Sequence, residues 1–193
     1  MTRAFDPHRP VPPDVVDNLV DAASRAPSAG KTQGWHVVVL EGPDTARFWD
    51  LTLPVDRRSG FGWPGLLDAP LLLLPLADPG AYVARYGEPD KRTTGLGEGA
   101  EAWPVPYWTV DTSFAVMTLL LAAEARGLGT LFFGLFQGET ELRAALGIPA
   151  PLELLGAVAL GWPLTGSGQE VRPGQSAGRR RRPPGEIIHR GGW

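Results

Sequence analysis

The stretch Ala26-Pro27-Ser28-Ala29-Gly30-Lys31-Thr32-Gln33-Gly34-Trp35 separates a helical pattern from a strand pattern, and its reading sets the order of elements around it. Upstream, Val15, Leu19, Ala22 and Ala26 recur at helical spacing, and Pro27 disfavours helix at the residue before it. Pro13 and Asp14 suit a first turn, so a helix is expected from near Pro13 up to the stretch. Downstream, Val37-Val38-Val39-Leu40 is continuous, apolar and β-branched, which predicts a strand over 36–41 buried on both faces. The residues between are mostly small or polar. The junction therefore suits approach by a ligand or a neighbouring backbone better than packing alone.

Further out, Pro43-Asp44 opens a short helix carrying Ala46, Phe48, Trp49 and Leu53, residues 56–68 read as loop, and Pro70 to Leu76 reads as a second buried strand with prolines near its ends. Residues 80–106 are long and poor in apolar periodicity, which is uncommon in a compact domain unless the loop is functional; a lid is expected there. Residues 110–126 carry the strongest helical signal, with Phe114, Met117, Leu120, Leu121 and Ala125 apolar, Asp111 in the first turn and Gly127 as the stop. Such a helix is the centre of a core, or is covered from outside by an oligomeric partner, or both. A strand over 130–136, a helix over 139–146, a strand over 154–160 and a Gly-, Ser- and Arg-rich tail over 163–193 complete the pattern, with no internal repeat.

A chain of 193 residues fits one domain with a core of its own. Its net charge of −3 and pI near 5.6 give no global reason to expect nucleic acid or an acidic membrane as partner. Zero cysteines exclude disulfides, thiolate zinc sites and cysteine nucleophiles. The first residues lack the apolar core of a signal peptide, which favours the cytoplasm. The longest apolar run, 114–123, is interrupted by Thr118 and closed by Glu124, well short of the ~20 residues of a membrane span.

Candidate chemistry is sparse. His8, His36 and His189 have no metal-ligand spacing, and Gly95, Gly97 and Gly99 are not placed between a strand and a helix as a dinucleotide fingerprint requires. Arg179 to Arg182 is a solvated tail, a nucleic-acid patch, or a phosphate clamp stiffened by Pro183-Pro184. Trp103, Tyr107 and Trp108 either line a cavity for a planar ligand or are core aromatics.

Taken in order, R-A-F at 3–5, P-V-P at 10–12, A-P-S-A-G-x-x-Q-x-W at 26–35, Y-W-x-V-D-T at 107–112, G-L-G-T at 127–130 and R-R-P-x-x-E-I-I-H at 181–189 resemble the FMN-dependent nitroreductase family over nearly the whole chain. The resemblance implies an α+β fold with a central, mostly antiparallel sheet flanked by helices, and an intertwined homodimer whose core helix is 110–126. It implies FMN as cofactor, NADH or NADPH as electron donor, and nitro, quinone or other conjugated small molecules as acceptors. No catalytic acid or base is then needed, because the cofactor carries the chemistry.

Residue by residue, the resemblance puts Ser28, Lys31 and Gln33 at the flavin edge and the Phe133 and Gly134 amides against its N5 and O4 side. Arg180 and Arg182 fall on its phosphate and Arg3 near its pyrimidine, with Trp103, Tyr107 and Trp108 in the substrate pocket. Two positions depart from the family pattern. The chain begins without the N-terminal helix and the Arg-Arg-Ser-like triplet that precede the position of Thr2, so a thinner phosphate site is expected. Lys31 stands where the family usually has Asn; an ammonium donates to a flavin carbonyl but cannot accept from the ring N3–H. A nitroreductase-like binding protein with weak or lost flavin redox function, and a flavin-dependent dehydrogenase of a biosynthetic intermediate, are the alternative readings.

Overall fold

Pro13 sits at N1 and Asp14 in the first turn of α1 (Pro13–Ser24), which buries Val16, Leu19 and Ala23. The computed structural model describes residues 1–164 and 176–193; the middle of the expected C-terminal extension, 165–175, lies outside the described residues. After α1 come a 3₁₀ turn (Ala29–Lys31), β1 (Trp35–Glu41), α2 (Pro43–Thr52), α3 (Val55–Arg58), a 3₁₀ turn (Pro64–Leu66) and β2 (Leu71–Ala77). There follow α4 (Pro79–Tyr86), two 3₁₀ turns, α5 (Tyr107–Glu124), β3 (Gly129–Phe133), α6 (Glu139–Leu146), β4 (Glu153–Leu154) and β5 (Ala157–Gly161). The sheet runs β1-β2-β5-β3 with β4 on β2, and its pairs are antiparallel, as expected of an α+β fold.

β2 is buried along its whole length, and its alternation divides the core. Leu71 and Leu73 face α1 and α5, together with Val158 and Leu160 of β5. Leu72 and Leu74 face the other layer, together with Phe48 and Trp49 of α2 and Leu142 of α6. β1 corrects the sequence expectation. It is an edge strand, and of its residues only Leu40 is fully buried, so its β-branched run reflects strand propensity and partial cover rather than burial on both faces.

Residues 80–106 are also corrected: they hold α4 and two 3₁₀ turns, with Tyr82 and Trp103 in a core cluster, and are not a free lid. Asp78 caps α4 by accepting from the Ala81 amide at 3.1 Å. Residues 56–68, expected as loop, contain α3 and a 3₁₀ turn. β3 ends at Phe133, before the expected 136.

α5 begins at Tyr107, three residues ahead of the expected start, which moves Asp111 out of the first turn and into the buried face. That face carries Trp108, Thr112, Ala115, Val116, Leu119 and Ala123. The outward face shows Phe114, Met117 and Leu121, each about half exposed. Apolar on both sides, the helix satisfies only one of them within a single chain. Among the described residues no helix is long and apolar enough to cross a membrane.

Candidate functional site

The N-terminal arm crosses the sheet's β3 edge: the Thr2 amide donates to the Thr130 carbonyl at 2.9 Å, Phe5 to Gly65 at 3.1 Å and Asp6 to Trp162 at 2.9 Å. These bonds fix Arg3, whose guanidinium lies 5.3 Å from the Trp63 ring centroid. Trp63 lines a cavity of about 330 Å³ at the end of β3. Its walls are aromatic. Trp49 stacks on Phe133 at 5.7 Å with 5° between planes, Phe48 meets Trp49 edge-on at 5.0 Å, and Phe61 meets Trp63 edge-on at 5.9 Å.

Gly134 lines the same cavity just past the last strand residue, where its amide makes no hydrogen bond to a described residue. An unpaired N–H beside an apolar, ring-walled space is an unused donor for a planar ligand. At the rim, Arg57 donates to Gln137 Oε1 at 2.6 Å, and Gln137 Nε2 donates to the Thr52 carbonyl at 2.9 Å.

A second cleft, of about 600 Å³, opens at the stretch quoted first; Ser28, Lys31 and Gln33 line it together with Arg25 and Asp21. Arg25 is engaged by Asp21 at 2.9 Å, while the exposed Lys31 ammonium makes no ion pair among the described residues. The loop is held by local bonds. The Gln33 amide donates to Ser28 Oγ at 3.0 Å, Gln33 Nε2 to the Ser24 carbonyl at 2.8 Å, and Thr32 Oγ1 to the Ala29 carbonyl at 2.6 Å. Lys31 and Gln33 take φ of 55° and 53°, left-handed values that cost a non-glycine residue on the order of 1 kcal/mol each and persist only where the surroundings enforce them.

Those surroundings are α4 and α5. The Ala29 amide donates to Asp111 Oδ2 at 2.7 Å, and the Tyr82 hydroxyl donates to the same oxygen at 2.8 Å. Arg85 Nε donates to the Gly30 carbonyl at 3.0 Å while its two terminal nitrogens grip Asp90 at 2.7 and 2.8 Å. A Cβ on Gly30, whose φ is 62°, would press into the Tyr86 ring. Burial, followed by the Asp111 hydrogen bond and charge, pushes the Tyr82 hydroxyl well above the usual tyrosine range. The Arg85 hydrogen bonds hold Asp90 below the usual carboxylate range, and the same contact raises Arg85.

The structure thus brings Phe133 and Gly134 to one cleft, with Arg3 beside it, and Ser28, Lys31 and Gln33 to another. It places Trp103 and Trp108 in a packed cluster with Tyr82, where Trp103 Nε1 donates to the Leu96 carbonyl and Trp108 Nε1 to Glu153 Oε2, both at 2.9 Å. They are 8% and 7% exposed, whereas Tyr107 at the start of α5 is 40% exposed. Arg180 and Arg182 line neither cleft. Residues 176–193 are exposed, and both side chains turn to Glu186, Arg180 through its Oε1 at 2.6 Å and Arg182 through its carbonyl. Sequence reasoning missed Asp111 as an anchor, Tyr82, Arg85 and the cavity wall of Trp49, Phe61 and Trp63. An acid among the apolar residues of the most hydrophobic helix was the signal for Asp111, and the aromatic run around 48–63 was the signal for the wall.

Known proteins resemble this chain in sequence and in fold. A curated relative, an NADH dehydrogenase of Thermus thermophilus, is 31% identical over 173 residues, covering 80% of this chain and 78% of its own. A 5,6-dimethylbenzimidazole synthase of Rhodospirillum rubrum is 30% identical over 170 residues, covering 80% and 74%. A solved structure described as an oxidoreductase containing FMN superposes with a TM-score of 0.71 at 23% identity, over 98% of this chain and 86% of its own, and shows the likeness of fold. Residues 1–162 match the model of the Nitroreductase family, and the chain belongs to that family of FMN-dependent oxidoreductases.

Proposed function

We propose that this enzyme takes electrons from a nicotinamide, NADH or NADPH, and passes them to nitro, quinone or other conjugated small molecules. The observation that carries the reading is the Gly134 amide, unpaired among the described residues, at the edge of an aromatic cavity of about 330 Å³, a space matched to a flat ring system. Bound FMN supplies the redox chemistry there, accepting two electrons from one partner and releasing them to another.

The chain's own residues bind and bias that group. The Gly134 amide offers a donor toward its N5 and O4 side, and Phe133, paired with Ala157 at the end of β3, walls the cavity beside it. Arg3, held near the cavity through Trp63, supplies positive charge where the reduced ring gathers negative charge. Ser28, Lys31 and Gln33 supply polar contacts at the flavin edge, and Arg180 and Arg182 would exchange Glu186 for the phosphate.

The site is composite in this reading. The outward stripe of α5, with Phe114, Met117 and Leu121, supports a homodimer that covers the helix and unites the two clefts and the tail. Titration of the purified protein with FMN, followed by flavin fluorescence quenching and by sedimentation, tests this: saturable binding by a dimer is expected. A monomer that leaves FMN fluorescence unchanged contradicts it. The similarity to a 5,6-dimethylbenzimidazole synthase favours a second reading, oxidation of a small biosynthetic intermediate. Under that reading, acceptors added to the nicotinamide-reduced protein are turned over no faster than by free reduced FMN.

A further inference from the structure

We infer that Asp111 is a positioning residue that mounts the Ser28–Gln33 loop on α5 and so fixes the polar side of the flavin site; this rests on the flavin reading above. A carboxylate only 6% exposed in a mostly apolar helix needs a purpose, because an ionised group taken out of water costs free energy unless donors meet it. Here two donors do, and both reach one atom: the Ala29 amide and the Tyr82 hydroxyl converge on Oδ2 at 2.7 and 2.8 Å.

The Ala29 amide belongs to the first residue of the 3₁₀ turn, and the two left-handed residues, Lys31 and Gln33, follow within four positions. Without an external tie the turn could relax toward ordinary backbone angles and carry the Lys31 and Gln33 side chains away from the cleft they line. Tyr82 fixes the carboxylate from the side of α4, and its ring packs edge-on to Trp103 and Trp108, so the acceptor is held in turn by the aromatic cluster. The aromatics expected to line a substrate pocket therefore serve, at one remove, to hold the loop. The same helix presents the outward apolar stripe, so whatever covers that stripe is tied through Asp111 to the loop.

The geometry makes the test specific. Because both donors use one oxygen, Asp111→Asn retains an acceptor for each, while the near-isosteric Asp111→Leu retains none. In the full chain without ligand, Asp111→Leu is expected to lower hydrogen-exchange protection of the Ala29 amide about tenfold or more and to weaken FMN binding by a similar factor. Asp111→Asn should bring both back to within about threefold of wild type. A purely structural role would lower the melting temperature of both variants and leave affinity per folded molecule unchanged, so affinity is measured well below the melting temperature.

Wild-type protection and affinity in Asp111→Leu would overturn the inference, as would an Asn variant that folds but rescues neither. If Asp111→Leu does not fold, Asp111→Asn decides alone: exchanging a charged for a neutral acceptor must move the Ala29 amide proton resonance, and an unmoved resonance overturns the assignment. If wild type takes up no FMN, the flavin reading falls, while Ala29 protection still settles the role of Asp111.

Discussion

The two clefts are held open by different forces. The cavity at the end of β3 is built by packing, with Trp49, Phe133 and Phe48 interlocked and Phe48 fully buried. The cleft at 28–33 is built by directed bonds: a backbone strained at Lys31 and Gln33 is tied to Asp111, Arg85 and its own side chains. Packing resists changes of pH and yields to lost volume; a polar mounting tolerates lost volume at its surface and yields when an acceptor is removed or protonated. Ring recognition belongs with the first kind of wall and adjustable polar contact with the second.

The largest effect is expected from breaking the aromatic wall. Trp49→Ala should cost about 3–5 kcal/mol in urea unfolding, while Trp49→Phe should cost about 1 kcal/mol or less because the buried indole N–H has no hydrogen-bond partner among the described residues. Equal costs for the two would show that the wall is not held by packed volume.

A smaller effect of opposite sign is expected in the polar cleft. Asn tolerates the left-handed region better than Lys, so Lys31→Asn should stabilise the apo protein by about 0.5 kcal/mol in the same assay. It should also tighten FMN binding, because an amide both donates and accepts. Unchanged or weaker binding would count against placing this loop at the flavin edge.

The smallest effect concerns pH. Asp90 is held below the usual carboxylate range, so the Arg85 brace contributes fully above the unfolded value, near pH 4, and is lost as pH falls through the lower folded value. Asp90 is exposed and Arg85 partly so, and solvent screens the pair, so the contribution is modest. Asp90→Asn should therefore lower the melting temperature slightly near neutrality and shallow its fall below about pH 4, where wild type and variant converge. A wild-type slope in the variant would remove the brace from the account.

Much of this contrast was legible in the sequence, though unevenly. The helix before the Ala26–Trp35 stretch and the buried leucines of β2 follow from periodicity and continuous hydrophobicity, which local sequence reports directly. α4 was not legible. It spans two turns, and its buried face is a single tyrosine, Tyr82, whose partners Trp103 and Trp108 lie some twenty residues further on. Asp111 is visible as an acid in an apolar helix, yet a helix start set three residues late makes it a dipole partner instead of a buried acceptor. The aromatic cavity joins α2, the 61–66 segment and the end of β3, and only the sheet order brings those segments together.

The central claim is that these two clefts serve one redox-active flavin. The direct measurement is an anaerobic absorbance spectrum of the FMN-loaded protein, taken before and after one equivalent of NADH or NADPH and again after a quinone is added. Loss of the visible flavin bands on reduction, with full return on adding the quinone, is the predicted result. Bands that neither nicotinamide bleaches would contradict it and leave a protein that binds the flavin without using it.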